Sequence, residues 1–152
     1  MAIEFEVKLK NVVDPSFLKK AVDDFLSERT LETCVLIQSE TNNENSELGR
    51  GILAVGSNAE VSFEMNRVEG LGDSEEEGLW LTFGVDRVRT GESLFLAVLL
   101  AVVAARDVNT DVFDEWQFFG QGRLLPWRKL FNQLEDIPFP SSGLPSLGEF
   151  GE

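Results

Sequence analysis

The chain has 152 residues, of which 43% are hydrophobic and 26% are charged, so it is long enough for one domain with a sizeable core. Its 27 acidic residues outnumber its 13 basic residues and give a formal net charge of −14. Such a surface repels nucleic-acid phosphates and anionic lipid and suits a basic partner, although acidity can also serve solubility alone.

The negative charge is concentrated in the middle of the chain. Residues 30–115 hold seventeen acids and five bases, a balance of −12, whereas the segments before and after them contribute −1 each. A device for solubility need not be concentrated in this way, whereas a binding face can be.

Cysteine content and hydropathy indicate where the chain resides. The lone Cys34 excludes an internal disulfide framework and fits a reducing cytosol, and its apolar surroundings favour a buried, inert thiol over a nucleophile. The N-terminal MAIEFEVKLK has no signal or transit character. The longest apolar run, LFLAVLLAVVAA at 94–105, is shorter than the roughly 20 residues of a membrane helix. We therefore expect a soluble cytoplasmic protein without membrane contact.

The chain begins with a predicted strand and a predicted helix. In IEFEVKLK, residues 3–10, apolar and charged side chains alternate, which predicts a strand with one face in water. In the following DPSFLKKAVDDFLSER, Asp14 can cap a helix and Pro15 fits its first position. An apolar stripe from Phe17 to Phe25 then follows the helical period.

Four further strands are predicted before residue 90. TCVLIQSE at 33–40 is apolar on both faces, which is typical of a central strand. The others are GILAVG at 51–56, EVSFEMNRVE at 60–69 and LWLTFGVDRV at 79–88. Two polar segments, ETNNENSELG and GLGDSEEEG, are predicted to be acidic loops.

The C-terminal part returns to helices. Thr90 can cap a helix over 91–106 that is apolar nearly all round and therefore buried. VFDEWQFF at 112–119 predicts a strand and PWRKLFNQL at 126–134 a short helix. The segment 137–152 is rich in proline, glycine and serine, so we expect an irregular tail whose apolar side chains can pack on the body: Phe139, Leu144, Leu147 and Phe150.

The resulting order is β-α-β-β-β-β-α-β-α. It predicts an α+β fold with a mainly antiparallel β-sheet and two helices packed on one face, a two-layer sandwich. We expect a single domain at 1–136 followed by the tail at 137–152.

One stretch has the spacing of a calcium loop. Asp107, Asn109 and Asp111 present alternating oxygen ligands. The loop would need glycine where Val112 stands and a bidentate carboxylate where Phe118 stands. The pattern therefore predicts a polar turn and no metal site.

Enzymatic chemistry has little support in the sequence. The chain has no histidine and no tyrosine, which excludes Ser-His-Asp and Cys-His catalysis and imidazole metal sites. Carboxylate chemistry remains, but the adjacent Asp114 and Glu115 would point to opposite faces of a strand. We expect no catalytic residues and no cofactor.

Acidic residues beside tryptophan indicate a different function. Carboxylates steer and orient a basic partner, and an exposed tryptophan can anchor the contact. The alternative is that these loops are merely solvated and the tryptophans belong to the core. The predicted partner-binding residues are Asp73, Glu75, Glu76, Glu77, Trp80, Asp111, Asp114, Glu115 and Trp116.

The segment TGESLFLAVLLAVVAARDVNTDVFDEW at 90–116 runs from an apolar helix through a polar turn into an acidic strand. A small, acidic, cysteine-poor α+β chain with this segment resembles the immunity proteins of bacterial contact-dependent and polymorphic toxin systems. The resemblance implies a protein that binds and neutralises a cognate toxin, often a basic nuclease, through an acidic face. No family residue can be matched by position.

Two other functions remain open at this point. One is an interaction or adaptor module for a basic partner that is not a toxin. The other is a small-molecule binder or carboxylate enzyme, which predicts a deep pocket with convergent carboxylates.

Overall fold

A computed structural model of the chain describes residues 3–40, 47–68, 78–86, 90–114, 117, 119–120, 122–141 and 143–147. These residues form an α+β fold with a seven-stranded antiparallel sheet and three helices, which confirms the predicted class. The elements are β1 (Ile3–Leu9), α1 (Pro15–Leu26), β2 (Cys34–Gln38), β3 (Glu47–Val55), β4 (Ala59–Val68), β5 (Gly78–Val85), α2 (Gly91–Val108), β6 (Asp111–Asp114), β7 (Leu124–Pro126) and α3 (Trp127–Glu135).

The sheet has the strand order β2-β3-β4-β5-β1-β6-β7. Strands β2 to β5 form a meander, as expected for consecutive strands with short turns. The N-terminal strand β1 then pairs with β5, from Ile3 opposite Val85 to Leu9 opposite Leu79. Strand β6 pairs with the other side of β1, so the first strand of the chain lies inside the sheet.

Period-two alternation separates the two faces of the sheet. The odd-numbered side chains of β1, β4 and β5 are almost all buried, and Phe5, Phe63 and Phe83 are at most 1% exposed. Helix α2 lies against this face, in contact with β1, β4, β5 and β6. Helices α1 and α3 also contact α2, which explains why every side chain from Ser93 to Ala105 is buried.

None of the helices in the described part of the chain, α2 included, is long and apolar enough to cross a membrane.

Side-chain caps set the helix ends where the sequence predicts them. The Asp14 carboxylate accepts the Ser16 amide, and that hydrogen bond lowers the pKa of Asp14. Thr90 Oγ1 accepts the Ser93 amide at 3.1 Å and begins α2. Asn109 ends α2 in the left-handed conformation, with φ of 55°. Its side-chain oxygen also accepts the Trp127 indole N–H at 3.2 Å, so the predicted polar turn after α2 is confirmed.

The structure differs from the predictions in four respects. The three helices among the described residues agree with the predicted strand-and-helix order, but the predicted packing of two helices on one face leaves out α3. Strand β2, predicted to be central, lies at an edge of the sheet, and its second apolar face is exposed. The strand predicted over 112–119 ends at Asp114, where the Gln117 amide donates back to the Asp114 carbonyl and closes a turn. Strand β7 was not predicted, because its three residues are too few for an alternation of apolar and polar side chains to be recognised.

The irregular tail is anchored on the core. Leu144 and Leu147 are 4% and 1% exposed, and Phe139 packs edge-on against Phe95 with ring centroids 5.6 Å apart. The Leu147 amide also donates to the carbonyl of Gly91. Packing of apolar tail residues is therefore confirmed for these three side chains, while Phe150 lies outside the described residues.

We expect the Cys34 thiol to be unreactive in the folded protein. Cys34 is 1% exposed, and burial raises the pKa of its thiol from 9.0 to about 11. At neutral pH the thiolate fraction therefore falls about a hundredfold, since each pKa unit is a factor of ten. Native protein mixed with a chromogenic disulfide reagent should react far more slowly than protein in concentrated guanidinium chloride. Equal rates in the two states would contradict the buried position of the thiol.

Candidate functional site

Six of the nine residues predicted to bind a partner lie outside the described residues. They are Asp73, Glu75, Glu76, Glu77, Glu115 and Trp116. The structure therefore does not test these six predictions. Trp80, Asp111 and Asp114 can be placed.

Trp80 and Asp111 lie on the same face of the sheet, opposite α2. Trp80 is half-buried on β5, and its ring meets the ring of Phe113 on β6 edge-on, with centroids 6.4 Å apart. Asp111 begins β6 and is exposed. The structure brings these two predicted residues to one surface, where an aromatic pair lies close to a carboxylate.

Asp114 is a correction to the predicted site, because its side chain is 0% exposed. One carboxylate oxygen accepts the Phe119 amide at 3.3 Å, and the Asp114 amide donates to the Arg123 carbonyl at 2.6 Å. These bonds hold the loop between β6 and β7. A side chain without accessible surface cannot touch a partner, so the role of Asp114 is structural.

Replacing Asp114 should therefore affect stability. Asp114→Ala leaves a buried amide without its acceptor, and we expect the free energy of unfolding to fall by about 2 kcal/mol. The exposed Asp111 is the matched control, and Asp111→Ala should change stability by no more than about 0.5 kcal/mol. Urea unfolding of both variants, followed by circular dichroism, makes the comparison. An Asp114→Ala variant as stable as Asp111→Ala would show that the carboxylate does not support the loop.

The sheet surface opposite α2 will be called the open face. It comprises the even-numbered side chains of β1, β4 and β5 together with Val35, Ile37, Arg50, Ile52, Ala54, Asp111, Phe113 and Leu124. All of these side chains are at least partly exposed. The open face is thus the broad sheet surface that the alternating strands present to solvent.

The open face carries more negative than positive charge. Its strands contribute five carboxylates, Glu4, Glu6, Glu60, Glu64 and Asp111, and two cations, Lys8 and Arg50. Arg50 lies directly opposite Glu64 in the β3–β4 register, and Lys8 follows Glu6 on the same face of β1, so both cations lie next to carboxylates of this face.

The centre of the open face is the part of β5 that lies between carboxylate-bearing positions of β1 and β4, and we call this area the acidic trough. Its floor is Thr82 and Gly84; one wall is Glu4 and Glu6 on β1, and the other is Ser62 and Glu64 on β4. Strands β1 and β4 flank β5, so the walls are separated by about 10 Å, twice the strand spacing.

Gly84 keeps the floor of the trough low. A Cβ at this position would stand 3.1 Å from the Ser62 hydroxyl oxygen and 3.9 Å from Cγ of Glu4. The Ser62 hydroxyl instead donates to the Gly84 carbonyl at 3.2 Å. Glycine at this position therefore lets the Ser62 hydroxyl lie close over the β5 backbone.

Two apolar zones border the acidic trough. On the β2 side, Ile37 pairs with Ile52 and Val35 pairs with Ala54. On the β6 side lie the Trp80–Phe113 pair and Leu124, which is 63% exposed. A charged centre with exposed apolar side chains on both sides is suited to binding a protein partner.

Sequence reasoning missed the walls of the acidic trough. Glu4 and Glu6 lie in a segment whose charges nearly balance, so the charge distribution along the chain did not single them out. The alternation in EFEVK already put both on a solvent face. Only the pairing of β1 with β5, and of β5 with β4, brings Glu6 level with Glu64 and Glu4 level with Ser62.

A cleft at one end of the open face is the main alternative site. It has a volume of about 470 Å³ and is lined by Glu60, Ser62, Asp86 and the start of α2. The polar groups at its base already serve the fold: the Thr90 hydroxyl donates to the Asn58 carbonyl, and the Glu60 amide donates to Ser93 Oγ at 3.0 Å. Among the described residues, no group of three or more Asp, Glu, Cys or His side chains is placed to hold a metal ion.

Comparisons with protein-family models, curated proteins and solved structures gave no match to this chain.

Proposed function

We propose that the chain is a non-enzymatic protein-binding domain, an immunity-type inhibitor that neutralises a basic toxin in the cytoplasm through its open face. The acidic trough is the observation that carries the proposal, because it sets carboxylates on both sides of an open floor beside an aromatic pair. In this proposal the helices form one layer behind the sheet and leave the other face to the partner.

Lysine or arginine side chains of the partner fit the acidic trough. A long cationic side chain that lies along Thr82 and Gly84 has Glu4 and Glu6 on one side and Glu64 on the other. Guanidinium groups bind carboxylates through paired, charge-assisted hydrogen bonds. Trp80 and Phe113 then offer apolar surface to the aliphatic part of the same segment.

The net charge supports the same partner. A chain of −14 attracts a basic protein at long range, and the carboxylates of the open face orient it on approach. An inhibitor of this kind performs no reaction, so neither histidine nor a reactive thiol is required of it.

Affinity capture from the native host tests the proposal. The full chain is immobilised, lysate is applied, and bound proteins are eluted with rising salt and identified by mass spectrometry. We expect one basic protein, retained until high salt because charge pairs dominate the contact. No retained basic protein, or acidic proteins only, would contradict the proposal.

Expression of the captured protein distinguishes a toxin from another basic partner. A toxin should arrest growth when expressed alone and should permit growth when co-expressed with this chain. A captured protein that is harmless alone would instead make the chain an adaptor for a basic partner.

A further inference from the structure

The two edges of the sheet are built differently. Strand β7 has three residues, ends in Pro126 and runs directly into α3, features that block further strand pairing. Strand β2, Cys34–Gln38, has five residues with neither charge nor proline. Natural sheets usually protect such an edge. The Asp23 side chain of α1 protects the Cys34 end by accepting its amide, and the rest of β2 has no such cap among the described residues.

Backbone groups of β2 point out of the sheet. The Ser39 amide donates inward to the Arg50 carbonyl at 3.0 Å, whereas the Cys34 amide donates to the Asp23 carboxylate at 2.7 Å, outside the β2–β3 ladder. Directions alternate along a strand, so the amides of Leu36 and Gln38 also point away from β3. Within the described residues, no strand lies on that side of β2.

The side chains of β2 add an apolar surface to this edge. Val35 is 53% exposed and Ile37 is 56% exposed, although both are β-branched residues of the kind that pack within sheets. They continue into Ile52 and Ala54 on β3. The side chains of an added strand would cover this apolar surface, and its backbone would pair with β2.

Charge decides between a second copy of the chain and a different partner. Glu40 is exposed just beyond β2, whereas the Glu32 carboxylate is turned towards Gly56 on the β3 side, 3.3 Å from where a Cβ on Gly56 would stand. A second copy would bring a further charge of −14 to this edge, and that repulsion opposes self-pairing. A lysine or arginine of a different chain next to Glu40 would meet an opposite charge instead.

We infer that β2 accepts an extended segment of a basic protein as an eighth strand of the sheet, with a basic side chain next to Glu40. The inference rests on the proposed function for the identity of the partner, and it adds the mode of binding. Main-chain hydrogen bonds to Leu36 and Gln38 hold the segment, and Val35 and Ile37 pack against its apolar side chains.

A pair of synthetic peptides tests strand addition without the natural partner. The first is a capped peptide of alternating lysine and valine, about seven residues long, the length of an ordinary strand. The second has the same sequence with two adjacent central residues N-methylated, which removes a donor from each edge of the peptide and keeps its charge. Binding to the full chain is measured by calorimetry, and amide hydrogen exchange by NMR.

The first peptide should bind about fivefold more tightly than the second, since only one of the two methylated amides faces β2 and one main-chain hydrogen bond of about 1 kcal/mol is lost. The amides of Leu36 and Gln38 should become protected from exchange only with the first peptide. Equal binding of the two peptides, binding of neither, or unprotected amides would overturn the inference.

Variants of β2 provide a second test. Gln38→Pro removes an outward donor at a site where the inward ladder does not use it, so the first peptide should bind about fivefold more weakly; Gln38→Ala, which keeps the donor, should bind normally. Val35→Lys/Ile37→Lys, at exposed positions, should also repel the peptide. Unchanged binding by folded Gln38→Pro and by the lysine variant would overturn strand addition.

These results do not depend on whether capture from lysate succeeds, so failure of the binding mode and failure of the proposed function are separable.

Discussion

Glu6→Lys/Glu64→Lys should bind the captured basic partner about a hundredfold more weakly than the unchanged chain. The two substitutions reverse one carboxylate on each wall of the acidic trough, opposite each other across Thr82. Close charge pairs across protein interfaces couple by about 1.5 kcal/mol or more, and two such pairs correspond to about a hundredfold in the dissociation constant. Titration calorimetry at physiological salt measures the change.

Asp24→Lys/Glu28→Lys is the matched control for that experiment. Both residues are exposed on and just after α1, on the helical side of the sheet, and their reversal changes the net charge by the same amount. We expect this control to weaken binding only slightly, through long-range attraction. If both double variants lose affinity equally, the partner responds to net charge and the acidic trough is not its site.

Gly51→Ala should lower the free energy of unfolding by about 3 kcal/mol, the upper range for overpacking a core. A Cβ on Gly51 would collide with the carbonyl oxygen of Ile37 on β2 and stand 3.0 Å from the Phe63 ring on β4. Because the nearest obstacle is backbone, β2 must move away from β3. The substitution should therefore also weaken binding at the β2 edge.

Gly49→Ala is the control on the same strand. A Cβ there would meet only the terminal methyl of Met65, at 3.2 Å, and that flexible side chain can move. We expect a loss below about 1 kcal/mol. Urea denaturation of the two variants gives the comparison, and equal stabilities would show that β2 does not press against Gly51 as described.

Much of the fold could be predicted from local patterns. Alternation in IEFEVKLK identified β1 with the correct buried face, the strand predicted over EVSFEMNRVE corresponds to β4, and Asp14 and Thr90 marked the helix starts. Position in the sheet could not be predicted in this way. TCVLIQSE is apolar on both faces, a pattern that fits a central strand and an edge strand equally well. Only the strand order shows that β2 lies at an edge of the sheet.

The structure describes only three of the nine predicted site residues. Sequence reasoning expected carboxylates beside tryptophan, and Trp80 and Asp111 do lie on the open face. The prediction that Asp114 binds a partner was wrong, because residue type alone cannot show that the last side chain of β6 points into the core. Glu4 and Glu64 are sixty positions apart in the chain and come to one surface through strand pairing.

Carboxyl footprinting of the complex tests the central claim most directly. The full chain is treated with carbodiimide and a small amine, alone and bound to the captured partner, and the labelled carboxylates are quantified by mass spectrometry. We expect Glu4, Glu6 and Glu64 to be protected in the complex while Asp24 and Glu28 label as before. Protection of Asp24 and Glu28, with the three trough carboxylates still labelled, would contradict binding through the open face.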